Sequence, residues 1–213
     1  MYIPLVDSLR CPNPHEDTWL VASIESAEER DIKTGFLGCP SCFAEYPIRD
    51  GVVYFDEAAV RPPAIAPDEA EATRIAAVLD LTDARMVALL FGARGAHAPL
   101  IRAMSPAQLL LVNPPEGVTS GDGVSILVTS AVPIAAAAVD AVAIEAATRD
   151  DIVARAIVTL RGGRRMLGPA SRAVPAPLEE LARDSNGWVA RLPAAEVTSA
   201  PVLPTRRPRT ENR

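Results

Sequence analysis

Aromatic side chains are scarce in this chain, at 4% of 213 residues. Any core must therefore be built from Ala, Val, Leu and Ile. Lysine is nearly absent, with Lys33 the only one. Basic residues number 21 against 27 acidic ones, for a net charge of −6. That excludes a general nucleic-acid binder, which needs a surplus of cations to neutralise phosphates. Cysteine is limited to three residues. The number is odd and too small for a disulfide framework, which fits a reducing compartment, and the expected location is the cytoplasm. The first residues lack the basic start and apolar run of a secretory leader. The longest uncharged stretch, 123–139, is short for a bilayer span and contains Pro133, so no membrane span is expected.

Proline and glycine, by contrast, are plentiful at 20 and 12, and imply much loop. A hydrophobic content of 49% with 23% charged residues is ordinary for a folded globular protein. The composition changes near residue 60. All three cysteines, the lysine, all three tyrosines and three of the four phenylalanines lie before it. The stretch Arg61-Pro62-Pro63-Ala64-Ile65-Ala66-Pro67 then reads as an extended connection, because proline fixes φ and removes backbone donors. The expected organisation is a small β module over 1–56, a Pro/Ala-rich linker over 57–67, an α/β layer domain over 68–203 and a basic tail over 204–213.

Within the α/β segment, Asp68 with Glu71 three residues on predicts the start of a helix running to about Leu81. Apolar runs predict strands over 86–91, 108–113, 123–129 and 139–145, with a short one over 165–167. The pattern predicts helices to about Met104, over 150–160 and over 177–184, and a final strand over 187–191. The tail carries four arginines and one glutamate, leaving −9 for the rest of the chain. It reads as a solvated end or as a docking tail for an anionic partner.

Cys39-Pro40-Ser41-Cys42 is a C-x2-C turn, and Cys11-Pro12-Asn13-Pro14-His15 is C-x3-H. Zinc takes four tetrahedral thiolate or imidazole ligands in a closed structural site. Cys11, His15, Cys39 and Cys42 are the expected ligands, with Glu16, Asp17 or water as alternatives for the fourth. A module with so little core gains from a structural metal.

Two resemblances follow. Leu9-Arg10-Cys11-Pro12, Gly38-Cys39-Pro40-Ser41-Cys42 and Tyr46-Pro47-Ile48-Arg49-Asp50-Gly51 resemble the small zinc-ribbon proteins that bind and activate tRNA and protein methyltransferases. Those ribbons have C-x2-C at the first knuckle; here Pro14 stands at that place and His15 one later. The resemblance implies structural zinc and a protein-binding module that covers an apolar surface. The run Val52-Val53-Tyr54-Phe55 needs such a cover, from the rest of this chain or from another protein.

Residues 66–200 resemble the class I S-adenosylmethionine-dependent methyltransferases, with a Rossmann-like sheet. Val139-Asp140-Ala141-Val142 and Thr159-Leu160-Arg161-Gly162-Gly163-Arg164 look like that family's fourth strand and the turn into the fifth. The cofactor positions depart from the family. Leu89 stands at the first acid, Phe91 and Ala93 at glycines, and Asn113 at the ribose-binding acid; only Gly95 survives, with Gly92 near. Asn113-Pro114-Pro115 follows the second strand, not the fourth, and reads as a strand terminator. His97 reads as a capping or solvated residue. No nucleophile set is suggested. The expectation is a non-catalytic, methyltransferase-like structural or regulatory subunit, with no catalytic or cofactor-binding residue and S-adenosylmethionine not bound. It would join another protein or a multi-subunit assembly through the ribbon or the Arg-rich tail. The alternatives are an active methyltransferase with an atypical loop and a binding module of another kind.

Overall fold

The computed structural model describes residues 1–194. The basic tail expected at 204–213 and the last residues of the 68–203 segment lie outside the described residues.

Three antiparallel hairpin steps open the chain. Strands β1 (Val21–Glu28), β2 (Asp31–Gly38), β3 (Glu45–Arg49) and β4 (Val52–Tyr54) pair in sequence order. The chain then supplies β5 (Val87–Phe91), β6 (Gln108–Val112), β7 (Val124–Val128), β8 (Val139–Ala143) and β9 (Leu160–Gly168), all parallel, and closes with the antiparallel pair β10 (Glu179–Arg183) and β11 (Trp188–Arg191). All belong to one eleven-stranded sheet of order β1-β2-β3-β4-β7-β6-β5-β8-β9-β11-β10. The parallel part runs third, second, first, fourth, fifth, the doubly wound Rossmann-like order, and the direction reverses between β5 and β8. The join to the hairpins is direct: β4 lies parallel to β7, with Val52, Val53 and Tyr54 opposite Ile126, Leu127 and Val128. The run at 52–55 thus finds its cover within the same chain.

Each central strand is apolar on both faces, as a covered parallel sheet requires. Leu89, Leu110 and Leu127 point to one core, and Ala88, Leu109 and Ile126 to the other. Helices α1 (Glu69–Val78) and α2 (Ala98–Met104) cover the second face through Ala72, Ile75, Ala98 and Ile101. Asp68 caps α1 by accepting from the Glu71 N–H at 2.7 Å. On the first face stands α3 (Asp150–Thr159), with Val153, Ala156 and Ile157 inward. The crossovers β6 to β7 and β7 to β8 carry no helix. The N-terminal segment fills the gap: Met1, Leu5 and Leu9 are at most 3% exposed in the same cluster as Leu110, Leu127 and Ile134. The buried Ser125 hydroxyl on that face accepts the Tyr2 N–H at 3.0 Å.

The helix expected over 177–184 is instead β10, a correction to the sequence reading. Glu, Leu, Ala and Arg favour a helix, but Asp184 accepts from the N–H groups of Asn186 and Gly187, closing a tight turn that returns the chain as β11. Tertiary pairing overrides local propensity here.

One buried charge stitches the strand starts together. The Asp140 carboxylate, 3% exposed, accepts from the Val87 N–H at 3.0 Å and pairs with Arg161 at 2.7 Å and Arg164 at 3.3 Å. Asp140→Ala leaves the Val87 N–H unpaired between β5 and β8. It is expected to lower stability by about 1–3 kcal/mol, read as a shift in the urea unfolding midpoint.

Candidate functional site

The two knuckles meet where the segment before β1 crosses the turn after β2. Cys39 is buried at the end of β2, and its N–H and carbonyl bond to Ala44 and Phe43 to form the knuckle. Phe43 takes a left-handed φ of 59° to close it. The Cys11 N–H bonds to the Thr18 carbonyl, which folds the first knuckle back. Cys11, His15, Cys39 and Cys42 bring their four ligand atoms within 4.8 Å of one another, so the set expected from spacing converges. Zinc–sulfur bonds of about 2.3 Å and zinc–nitrogen bonds of about 2.0–2.1 Å give tetrahedral edges of about 3.8 Å for S–S and about 3.6 Å for N–S. The Cys11–Cys42 sulfurs are 3.7 Å apart, and Cys39 Sγ lies 3.4 Å from His15 Nε2. These two opposite edges are metal-sized, and the cluster could hold zinc.

Neighbouring groups suit that role. His15 Nδ1 lies 2.7 Å from the Glu16 carbonyl, so it carries the proton and leaves Nε2 as the ligand atom. The same bond raises the His15 pKa. Asn13 donates its amide to Cys42 Sγ at 3.3 Å, and the Tyr46 hydroxyl lies 3.1 Å from Cys11 Sγ. Cys42 is pulled down to about 6, first by the Ala44 N–H and then by Asn13. Burial pushes the Cys11 thiol up, opposed by Tyr46. Tyr46 is itself raised, first by burial and then by its contact with Cys11.

A second feature sits at the carboxyl ends of the parallel strands, over the switch between β5 and β8, where doubly wound sheets bind ligands. It is a crevice of about 430 Å3, walled by Phe91, Val112, Asn113, Thr129, Glu145 and the connecting segment Val60–Pro63. Of the positions named from sequence, Leu89 is fully buried in the core and Phe91 forms crevice wall at 4% exposure. The Asn113 side chain spans the ends of β6 and β7. It donates to the Thr129 carbonyl at 2.7 Å and accepts the Thr129 N–H at 2.9 Å, so its amide is engaged at both ends. Gly95 is required because a Cβ there would lie 2.6 Å from Pro114.

Glu145, which the sequence reading passed over, dominates the loop after β5. Its carboxylate accepts the Ala93 N–H at 2.8 Å and lies so close over Gly92, at φ 54°, that a Cβ there would collide with it. The available signal was its place, an acid at the carboxyl end of an apolar strand run. On the loop's other side, Arg94 binds Glu71 of α1. Arg61 was also missed. Its guanidinium donates to the carbonyls of Pro114, Pro115 and Val118 and fastens the connecting segment over the strand ends. Burial lowers the Arg61 pKa.

His97 stands apart from the crevice walls. Its Nδ1 accepts the Asp68 N–H at 3.1 Å, which ties the start of α1 to the loop, while its side chain makes no capping bond to its own helix α2. Burial, then the charge of Arg94, lowers its pKa.

No protein-family model and no curated protein matches this chain. Among solved structures, it is similar to a candidate S-adenosyl-L-methionine-dependent methyltransferase from Methanococcus maripaludis, at 9% identity and a TM-score of 0.47, over 61% of this chain and 87% of that one. No helix among the described residues is long and apolar enough to cross a membrane.

Two outcomes follow. Titrated with zinc, the protein should take up about one equivalent, measured by elemental analysis after desalting. Cys39→Ser should abolish uptake, and His15→Ala should weaken it by more than about 100-fold, the upper range for a mere outer-sphere partner. The second concerns pH. A depressed folded-state pKa means that the neutral His97 contact stabilises above the unfolded value of about 6.5 and is lost as pH falls through the lower folded value. Stability measured from pH 7.5 to 5 should therefore fall, and less steeply in His97→Gln.

Proposed function

We propose that this chain is a non-catalytic methyltransferase-like protein that carries a structural zinc ribbon folded onto its own sheet and serves as a structural or regulatory subunit. The observation that carries the reading is Glu145. In the methyltransferases that the second half resembles, the backbone of the loop after the first strand faces the cofactor. Here the carboxylate of Glu145 takes that N–H from Ala93. A cofactor would have to displace this charge-assisted hydrogen bond to reach the Ala93 N–H. Asn113 stands in place of the ribose-binding acid, and both ends of its amide are engaged with Thr129. Each lost or displaced hydrogen bond costs about 1–3 kcal/mol, so the two together cost roughly a hundredfold or more in affinity.

Zinc in the ribbon would be held by Cys11, His15, Cys39 and Cys42. With four protein ligands the site is closed, and its role is to fix the knuckles, not to activate water. Attachment to another protein is supported by what the ribbon leaves uncovered. Val21 is 62% exposed and Phe43 84% exposed, on the side of the ribbon away from β7. With Phe36 they line one hollow, an apolar surface open to a partner.

Calorimetry with S-adenosylmethionine on the zinc-loaded protein tests the reading. The expected result is no saturable heat tighter than about 1 mM. A micromolar isotherm would overturn it in favour of an active methyltransferase with an atypical loop.

A further inference from the structure

The crevice continues beyond the strand ends. A second hollow of about 310 Å3 shares Ser130, Ala131 and Ile152 with it and runs on to Cys11 and the start of the ribbon. The two form one groove. Each half is lined by two arginines and a single carboxylate: Arg61, Arg149 and Glu145 in the first, Arg10, Arg155 and Asp151 in the second. The groove is therefore net positive on a chain of −6. A concave, low-dielectric site concentrates that field and draws in ligands of opposite charge.

The cations are not all neutralised. Arg149 pairs with Asp151 through Nε and Nη2, and Nη2 also reaches the Ser130 carbonyl; its Nη1 makes no hydrogen bond among the described residues. Arg155 has only a 3.4 Å contact with the Ile134 carbonyl among the described residues. Arg149 stands just before α3 in an extended conformation, and Ile152 and Arg155 follow three apart on the helix, so that all three line the groove with the apolar residue between two cations in sequence. That stripe borders the junction of the two hollows. The walls toward the strand ends are apolar, from Phe91, Val112 and Pro63. The Glu145 carboxylate in the same hollow is engaged by the Ala93 N–H.

We propose that this groove binds an organic anion: a carboxylate or phosphate ester head held between Arg149 and Arg155, with an apolar body lying against Phe91, Val112 and Ile152. The volume of about 430 Å3 in the first hollow suits a body of small-ligand size. This rests on the reading that the crevice does not hold S-adenosylmethionine, a sulfonium cation that the same positive field disfavours.

The test is fluorescence titration of the full-length, zinc-loaded protein with 1-anilinonaphthalene-8-sulfonate, followed by competition. Saturable binding of about one probe per chain is expected. Decanoate and decyl phosphate should displace it, and their relative strength distinguishes a carboxylate head from a phosphate head. Decylammonium of the same chain length should need at least ~10-fold more, and raised salt should weaken the anions. The double variant Arg149→Gln/Arg155→Gln should lose at least ~10-fold in affinity for both anions. Ala131→Phe, which narrows the shared junction without removing a charge, should block binding if the double variant does not fold. Equal displacement by decylammonium, or unchanged anion binding in the folded variants, would overturn the proposal. The calorimetry above separates the failures: neither anion nor S-adenosylmethionine binding sinks this inference alone, whereas S-adenosylmethionine binding sinks the reading on which it rests.

Discussion

A parallel sheet has no side that water can wet, and among the described residues only three α-helices serve six parallel strands. Two crossovers have no helix at all. The shortage is met from the N-terminal quarter of the sequence. Met1, Leu5 and Leu9 lie across the face that the missing helices leave bare, and β4 adds itself to β7 at the edge. An unpaired edge of apolar strand is a template for aggregation, and pairing it removes the hazard. The hairpin module is therefore part of the sheet's architecture, and its own shortage of core is relieved by the same contact. Leu37, Tyr46 and Ile48 share one continuous core with Leu110 and Val142.

The candidate metal centre sits within this arrangement. Cys39 is 2% exposed and belongs to the shared core, whereas Cys42 is open to solvent. The inner ligand is fixed by packing and the outer one by hydrogen bonds from Ala44 and Asn13. Ligand atoms held by core residues on one side and by backbone amides on the other keep metal-sized separations with little conformational freedom left to lose. Cys11 faces both ways, toward the cluster and into the groove, which places the metal centre and the arginine-lined channel on a common wall.

Much of this was legible in the sequence. The C-x2-C and C-x3-H spacings gave the four converging ligands, because a knuckle is a local structure. The apolar runs gave the strands from β5 to β8, because a doubly covered strand writes itself as a continuous hydrophobic segment, whereas β9 was marked only at 165–167 and starts five residues earlier, ahead of the charged Arg-Gly-Gly-Arg-Arg stretch. The capping pair Asp68 and Glu71 located the start of α1. What the sequence concealed was set at a distance. The parallel partnership of β4 with β7 joins residues more than seventy positions apart and leaves no periodic mark. The β10 segment is written in helix-forming residues, and only the Asp-Ser-Asn-Gly turn after it signals a hairpin. Glu145 looks like the end of a strand until the fold brings it onto Ala93, and Arg61 looks like part of a linker until it meets three carbonyls from the β6–β7 connection.

That last contact changes what the connecting segment is. Proline-rich composition gives an extended chain, and extended it remains, but it is held at both ends and in the middle. The N–H groups of Phe55 and Asp56 bond to the Val128 carbonyl, directly after β4. Arg61 grips Pro114, Pro115 and Val118, and the Pro62 carbonyl accepts the Glu116 N–H at 2.9 Å. Val60 through Pro63 then form one wall of the crevice. A flexible tether of this length would hold the hairpin module near the sheet only by raising its local concentration. A fastened one does more, because the segment that leaves β4 also walls the crevice. The groove is bounded by the hairpin module at one end and by the connecting segment along its side. Its geometry therefore depends on how the N-terminal hairpins seat on the sheet, and the crevice and the hairpins that carry the Cys/His cluster form a single mechanical unit.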